Sequence, residues 1–226
     1  SGYTSFYLGA KSVCPTVTMD VTFTGEWYHE AKEKEAANKL IAAGCKLISQ
    51  HADSMGAPTA CEDAKVPNVS YNGSTVEACP NTFIVSSSIN WAPYFEYIIN
   101  QTAEGKEIDK DWTGTIATGS VVLSEINEQA AAPGTKEKIA EVKAQLEAGT
   151  LHVFDTSNFT VTVTDKKNVN AKVDADGHLT NYMADVDTDE FFQGDTEVVA
   201  DGYFHESDKR SAPYFDVDID GITNIG

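Results

Sequence analysis

Aromatic and short polar side chains follow four apolar, strand-like runs in the first 91 residues. Trp27 lies in TGEWY, Asp53 and Ser54 lie in QHADS, Asn72 lies in YNGS and Trp91 lies in SINWA. Aromatic rings stack on flat rings or sugar faces, while carboxylate, hydroxyl and amide groups hydrogen-bond hydroxyls in fixed directions. Any one of these residues could instead be a packing or turn residue, but together the four strand ends favour a small-molecule binding site.

Motifs of catalysis and metal binding are missing from the sequence. There is no GxGxxG after a strand, no GxxxxGK[ST], no GxSxG and no HExxH, and the five histidines lack metal-ligand spacing. Two aspartate triplets, at 185–189 and 216–220, open like a calcium loop but lack the carboxylate at its twelfth position, so we interpret them as solvated strand faces. The sequence predicts neither an enzyme nor a cofactor or metal.

Alternating strands and helices are expected to position the candidate residues. Apolar patterns predict strands near 17–23, 45–50, 68–71 and 82–86, separated by helices near 29–43, 58–65 and 93–104. Such an order indicates a parallel sheet, whose ligands bind at the carboxyl ends of the strands. A further helix is predicted at 134–149, then strands from 151 and around 159–163 and 216–220, and a turn at Asp174–Gly177 in a β-rich tail.

The charge balance excludes several classes of partner. The 226 residues contain 35 Asp and Glu against 16 Lys and Arg, a net charge of −19, with 41% hydrophobic residues. A field of this sign repels phosphate backbones and anionic lipids, so nucleic-acid binding is not expected. No apolar run is long enough to span a bilayer.

Four cysteines lie within the first 79 residues, at positions 14, 45, 61 and 79. No CxxC pair is present, so a zinc ribbon or a thioredoxin-type site is not supported. The four thiols could form up to two disulfides in one of three pairings, or remain buried thiols, and the spacing does not decide between these alternatives.

Several segments resemble the basic membrane lipoprotein family of ABC transporter substrate-binding proteins. They run in the family's order over most of the chain and read VTFTGEWYHEAKEKEAANKLIAAGCKLISQHADS, VSYNGS, SSSINWAPYFEYI, EAGTLHVFD and GYFHESDKRSAPYFDVDIDGI. The resemblance implies an α/β fold of the periplasmic-binding-protein type I kind. We expect a parallel sheet with helices on both faces, a partial first lobe and a β-rich C-terminal tail.

The resemblance also implies a division of the chain into lobes. Residues 1–11 would be a hinge crossing or remnant of the first lobe, and 12–110 the α/β ligand-binding lobe. Residues 111–226 would return to the first lobe and add the C-terminal β-rich extension. Family members begin with roughly a hundred further residues, so we expect a fragment or a shortened relative that self-associates through its incomplete lobe.

A solute-binding role in an ABC import system follows from the resemblance. Trp27 would stack on a base, Asp53 and Ser54 would contact the ligand, and hinge closure would complete the pocket. Asn72 stands where the family often has an Asp that grips ribose hydroxyls, and Trp91 aligns near a basic residue of nucleoside-binding relatives. These departures leave the solute open between a purine nucleoside and a related compound.

The implied partners are a small solute and the transporter's permease. The implied location is the periplasm or the outer face of the cytoplasmic membrane, with a lipid anchor in the full-length protein. Two other functions remain open: a cell-surface receptor or adhesion module that uses the tail, and a flavodoxin-like enzyme on a similar sheet.

Overall fold

The protein divides into two compact units. The computed structural model describes residues 1–187, 194–212 and 214–226. The first unit contains residues 1–21, 109–113 and 151–225, and the second unit contains 22–108 and 114–150 together with residue 226. The assignment of lobes to residues 1–11, 12–110 and 111–226 stays a prediction about the larger family fold.

Five α-helices and eleven short strands make up the regular structure of the described residues. The helices are α1 Gly2–Val13, α2 Glu30–Ala42, α3 Gly56–Ala64, α4 Ala92–Ala103 and α5 Thr135–Glu147, with a 3-10 turn at Thr156–Asn158. The strands are β1 Met19–Val21, β2 Ile48–Ser49, β3 Asn68–Tyr71, β4 Phe83–Ile89, β5 Val121–Leu123, β6 Ala171–Val173, β7 Leu179–Ala184, β8 Thr196–Glu197, β9 Val199–Ala200, β10 Tyr203–Phe204 and β11 Ile222–Asn224. Among these residues, no helix has the length and apolarity needed to cross a membrane.

The second unit is built on a four-stranded sheet. Its strand order is β2-β3-β4-β5, with β2, β3 and β4 parallel and β5 antiparallel to β4. Ile48, Phe83 and Val85 bury their side chains from these strands. Helices α2, α3 and α4 alternate with the strands along the chain, so the predicted α/β class with a parallel sheet is confirmed.

Helices α2 and α3 of the second unit approach each other unusually closely. A Cβ atom added to Gly56 would lie 2.2 Å from the carbonyl oxygen of Glu30, so only glycine fits there. Ala37, Ala57 and Ala60 form the buried cluster at this contact. Small residues allow the two backbones to meet, which fixes where α3 begins relative to α2.

The first unit holds a large aromatic core. Its strands form a three-stranded antiparallel sheet in the order β6-β7-β8, an antiparallel β9–β10 pair and a parallel β1–β11 pair. The core combines α1 with the tail and contains Tyr7, Leu8, Phe154, Phe159, Val161, Ala171, Leu179, Tyr182, Ala184, Val198, Phe204, Tyr214, Phe215, Val217 and Ile219.

Three strands predicted for the tail do not form. Residues 151–154, 159–163 and 216–220 lie outside the strands, although Phe159, Val161 and Val217 are buried as their alternation implies. These segments make isolated backbone hydrogen bonds, such as the bond from the Asp220 N–H to the Thr160 carbonyl at 2.9 Å. The alternation of apolar and polar residues therefore predicts which side chains are buried, but it does not predict that these segments pair with other strands.

Candidate functional site

The loop that carries Trp27 is bonded to the loop that carries Asp53. The backbone N–H of Asp53 donates to the carbonyl oxygen of Trp27 at 2.9 Å. The Trp27 side chain is 78% exposed, and Asp53 is exposed as well. The loops that carry an exposed indole and an exposed carboxylate are therefore joined through their backbones.

Glu33, on α2, holds these two loops together. This side chain is only 2% exposed. Its Oε1 accepts a hydrogen bond from the N–H of His29 at 2.9 Å, and its Oε2 accepts one from the N–H of Ser54 at 3.1 Å. One buried carboxylate thus satisfies a backbone donor from each loop.

Sequence reasoning did not identify Glu33 as important. The available signal was its position four residues after His29, the helix N-cap, whose Nδ1 accepts from the N–H of Lys32 at 3.3 Å. A carboxylate one turn into a helix that reaches back to the cap residue is a variant of the capping box.

Ser54 is buried rather than open to solvent. Its side chain is 4% exposed, and its Oγ accepts from the N–H of Gly56 at 3.1 Å. The hydroxyl thereby supports the first residue of α3, and it keeps its own proton for a second hydrogen bond.

Asn72 lies in a tight turn directly after β3. Its φ of +63° is in the left-handed region, which asparagine tolerates better than most residues. Its N–H donates to the carbonyl of Ser87 at 2.8 Å, and its carbonyl accepts from the Oγ of Ser88 at 2.6 Å. These bonds fix the Asn72 backbone to β4 and leave its amide side chain exposed.

A ring contact connects the Asn72 turn with the loop that carries Asp53. The centroids of the His51 and Tyr71 rings are 5.4 Å apart, in a tilted arrangement. Because His51 lies two residues before Asp53 and Tyr71 precedes Asn72, the two strand ends are neighbours at one edge of the sheet.

A buried polar network lies beneath the same two loops. Asn68, with 0% exposure, donates through Nδ2 to the Ile48 carbonyl at 3.1 Å and to the Gln50 Oε1 at 2.8 Å. Its Oδ1 accepts from the Ser70 Oγ at 2.7 Å, and that hydroxyl lies 3.3 Å from the Thr75 Oγ1. Asn68 therefore connects the end of β2 with both sides of the Asn72 turn, a role that its place in a strand did not reveal.

Trp91 lies at the start of α4, after the end of β4. Its side chain is 56% exposed. Its ring neighbours are Tyr94 and Phe95, with centroids 6.5 Å and 6.3 Å away on the same helix. The hydrogen bonds that join Trp27, Asp53 and Ser54 do not include Trp91.

One expectation about the positioning elements is wrong. The strand before Trp27 was expected to belong to the same parallel sheet as the other three. Instead β1 pairs with β11, whereas β2, β3 and β4 share the four-stranded sheet. The three residues of β1 pair with residues 222–224, which lie far away in the sequence. A local sequence pattern cannot predict such a pairing.

Charges near Trp27 are partly paired. Lys32 forms an ion pair with Glu26, and this hydrogen bond lowers the pKa of the Glu26 carboxyl.

No group of three metal-ligating side chains is found in the described part of the chain. Asp220 accepts from the Oγ1 atoms of Thr160 and Thr162, each at 2.8 Å, which is a structural role. Asp189 lies outside the described residues.

Comparison with known proteins gives a family match and relatives. The model of the Bmp family, described as ABC transporter substrate-binding protein PnrA-like, matches residues 1–151. A protein of Haloferax volcanii named for ABC-transporter glucose binding is 31% identical over 153 residues, covering 67% of this chain and 39% of that protein. A purine-binding protein of Brucella abortus is 28% identical over 158 residues, covering 68% of this chain and 43% of that protein.

A solved structure supports the same fold. The ABC transporter solute-binding protein of Conexibacter woesei superimposes with a TM-score of 0.54 at 20% identity, covering 66% of this chain and 50% of that one. The chain spans roughly two fifths of the length of the Haloferax volcanii and Brucella abortus relatives.

Proposed function

Because this chain belongs to the Bmp family of PnrA-like ABC transporter substrate-binding proteins, we propose that it acts as a solute-binding protein of an ABC import system. In this proposal, Trp27, Asp53, Ser54, Asn72 and Trp91 contact a small molecule. The relatives named above are binding proteins, which agrees with the lack of catalytic motifs in the sequence.

The observation that carries the proposal is the pairing of Trp27 with Asp53. The 2.9 Å bond between their backbones joins the loop of an exposed indole to the loop of an exposed carboxylate. An exposed indole contributes little to folding, so its place on a loop that is bonded to the loop of Asp53 favours ligand binding. Glu33 supports this geometry from the interior.

The proposed solute has a flat or weakly polar face and several hydroxyl groups. One relative is named for glucose and the other for purine, and a purine nucleoside combines a ring with a sugar. The indole of Trp27 would stack on the ring or the sugar face, and Asp53 would accept from hydroxyls. Asn72 offers a neutral amide, which accepts more weakly than a carboxylate does.

Replacing Trp27 by alanine tests the proposal. We expect Trp27→Ala to weaken binding more than tenfold, about 1.4 kcal/mol or more, because the stacking surface is lost. Trp27→Phe keeps an aromatic face and should lose less. Tyr28→Ala is the matched control, since Tyr28 is adjacent and 65% exposed.

The measurement is calorimetric titration of the purified chain with adenosine, inosine, guanosine and glucose, each in turn. Native mass spectrometry before any denaturing step would show a solute retained from the host. Equal affinity of Trp27→Ala and the parent chain for a solute that binds would rule out stacking by Trp27. If none of the four solutes binds and no adduct is retained, the chain does not bind these ligands by itself.

Transport also requires closure around the solute and a permease, and we propose both. Closure of two lobes around the solute would change the population of open and closed forms, and the closed form would deliver the solute to a permease. The location we propose is the periplasm or the outer face of the cytoplasmic membrane, with a lipid anchor in the full-length protein.

Self-association is supported by apolar surface on the second unit. The three residues of β5 are 40%, 37% and 47% exposed, at the edge of the sheet beyond β4. Edge strands of this kind pair readily with other chains. Light scattering of the parent chain and of Val122→Lys should show a smaller mass for the variant if copies associate through β5.

A further inference from the structure

Two of the four cysteines are fully buried in the second unit. Cys61, on α3, and Cys79, just before β4, both have 0% exposure. Cys14 is exposed and Cys45 is half-buried. The cysteines therefore fall into one buried pair and two that are more accessible, a division that their spacing did not reveal.

The segments that carry the buried pair are held side by side by Glu62. Its Oε2 accepts from the N–H of Asn81 at 3.2 Å and from the Oγ1 of Thr82 at 2.7 Å, and its Oε1 also accepts from the Asn81 side-chain amide. Glu62 directly follows Cys61, and Asn81 lies two residues after Cys79. This fixed contact thus brings both cysteines into the same part of the interior.

The electrostatics of the two thiols agree with their being neighbours. Burial, together with the smaller effect of the nearby Cys79, raises the pKa of Cys61 to about 12. Burial also raises the pKa of Cys79, as do the carboxylates of Glu62 and Asp63. Both thiols are thus protonated in the folded chain and react slowly once they are buried.

We propose that Cys61 and Cys79 form a disulfide bond when the chain folds in an oxidising compartment. The bond forms by exchange with a small disulfide such as oxidised glutathione. One cysteine thiolate attacks it and releases one glutathione thiol, and the second cysteine then displaces the other. Two protein thiols are oxidised to one disulfide, and one glutathione disulfide is reduced to two thiols.

Burial of the two thiols determines when the disulfide can form. Because the folded chain keeps both thiols protonated and covered, exchange must occur before α3 docks against the segment that precedes β4. The closed loop contains β3 and the turn at Asn72. The cross-link would therefore anchor both ends of the segment that presents Asn72, independently of whether a solute binds there.

The test counts free thiols in the full chain. The parent chain is refolded with a mixture of reduced and oxidised glutathione, denatured without reductant in the presence of iodoacetamide, and weighed by mass spectrometry. We expect two alkylated thiols in the parent chain, none in Cys14→Ser/Cys45→Ser, and two in Cys61→Ser/Cys79→Ser. A proteolytic map should contain one linked peptide pair, carrying Cys61 and Cys79.

A thermal measurement gives the second readout. Adding dithiothreitol during refolding should lower the Tm of the parent chain and of Cys14→Ser/Cys45→Ser by about 5–10 °C, because the unfolded chain regains the entropy of an open loop. Four alkylated thiols in the parent chain, or a linked peptide containing Cys14 or Cys45, would overturn the proposal. The parent chain and Cys14→Ser/Cys45→Ser decide the outcome even if Cys61→Ser/Cys79→Ser does not fold.

Discussion

The two units differ in how far they bury their aromatic residues. In the first unit, Phe154, Phe159 and Phe204 are at most 2% exposed. In the second unit, Trp27 and Trp91 are 78% and 56% exposed, and the buried cluster between its helices consists of alanines. Aromatic side chains therefore form the core of the first unit, whereas in the second unit Phe83 is buried but Trp27 and Trp91 are open to solvent.

In the second unit, buried hydrogen bonds hold the loops of the proposed site in place. Glu33 and Asn68, both nearly inaccessible to solvent, join the loops and strand ends of the proposed site. Such bonds are directional, so they fix loop positions more closely than apolar contacts do. The difference suggests that packing stabilises the first unit and that polar networks shape the site in the second.

The largest expected effect is the loss of a buried ring in the first unit. Phe204 lies 4.7 Å from the Phe215 ring centroid and 5.6 Å from that of Tyr182. Phe204→Ala should lower the free energy of unfolding by about 3–5 kcal/mol, measured by urea denaturation. Phe95→Ala, on an exposed ring of α4, should change it by less than about 0.5 kcal/mol. Similar losses in both variants would contradict the contrast between the units.

A smaller effect is expected from Glu33→Ala in the second unit. The variant leaves the N–H groups of His29 and Ser54 without their acceptor, which should cost roughly 2–4 kcal/mol of unfolding free energy. Glu33→Gln keeps one carbonyl acceptor and should lose less. Glu35→Ala, at an exposed position of the same helix, is the control.

Hydrogen exchange at residues 51–54 measures the local consequence of Glu33→Ala. The amide of Ser54 should exchange faster in this variant than in Glu35→Ala. Unchanged protection of this amide would show that Glu33 does not hold the loop.

The smallest expected effect depends on pH and lies in the first unit. The His178 Nδ1 lies 2.9 Å from the Phe159 carbonyl and 3.0 Å from that of Thr156. The bond to Phe159 raises the pKa of His178 above its usual range, and the bond to Thr156 and the Asp174 charge act in the same direction. This contribution to stability is fully present below the unfolded pKa and is lost as the pH rises through the folded pKa.

Melting curves of the parent chain and of His178→Gln between about pH 5 and pH 8 test this dependence. The Tm difference between them should be larger at the acidic end and shrink toward pH 8. This range avoids protonating Asp174, whose pKa is lowered by the N–H of His178. A Tm difference that stays constant with pH would show that His178 stabilises the turn only as a neutral ring.

Local patterns predicted much of the second unit. The strand at 68–71 has the predicted bounds, and α4 at 92–103 is displaced by one residue from its prediction. In the first unit, the predicted turn at Asp174–Gly177 joins β6 to β7, with Gly177 at a φ of +86°. These features depend on nearby residues, which is why their sequence signals are reliable.

Long-range features could not be predicted in the same way. Val217 and Ile219 alternate correctly with exposed residues, yet their neighbours do not form a ladder with them. The pairing of β1 with β11 and the reach of Glu33 to Ser54 depend on partners far along the chain. The candidate ligand residues were found because they follow strands, while the buried residues that hold them became visible only in three dimensions.

The parallel pairing of β1 with β11 constrains the order in which the chain can fold. Met19 pairs with Ile222, so this contact joins two segments that lie far apart in the sequence. Until residues 217–224 have been synthesised, β1 has no partner, and the core around Tyr7 and Leu8 lacks Val217 and Ile219. The strands and helices of residues 22–150 can meet much earlier. Closure of the first unit is therefore expected to follow assembly of the second, because its rate is limited by a long chain closure rather than by local helix formation.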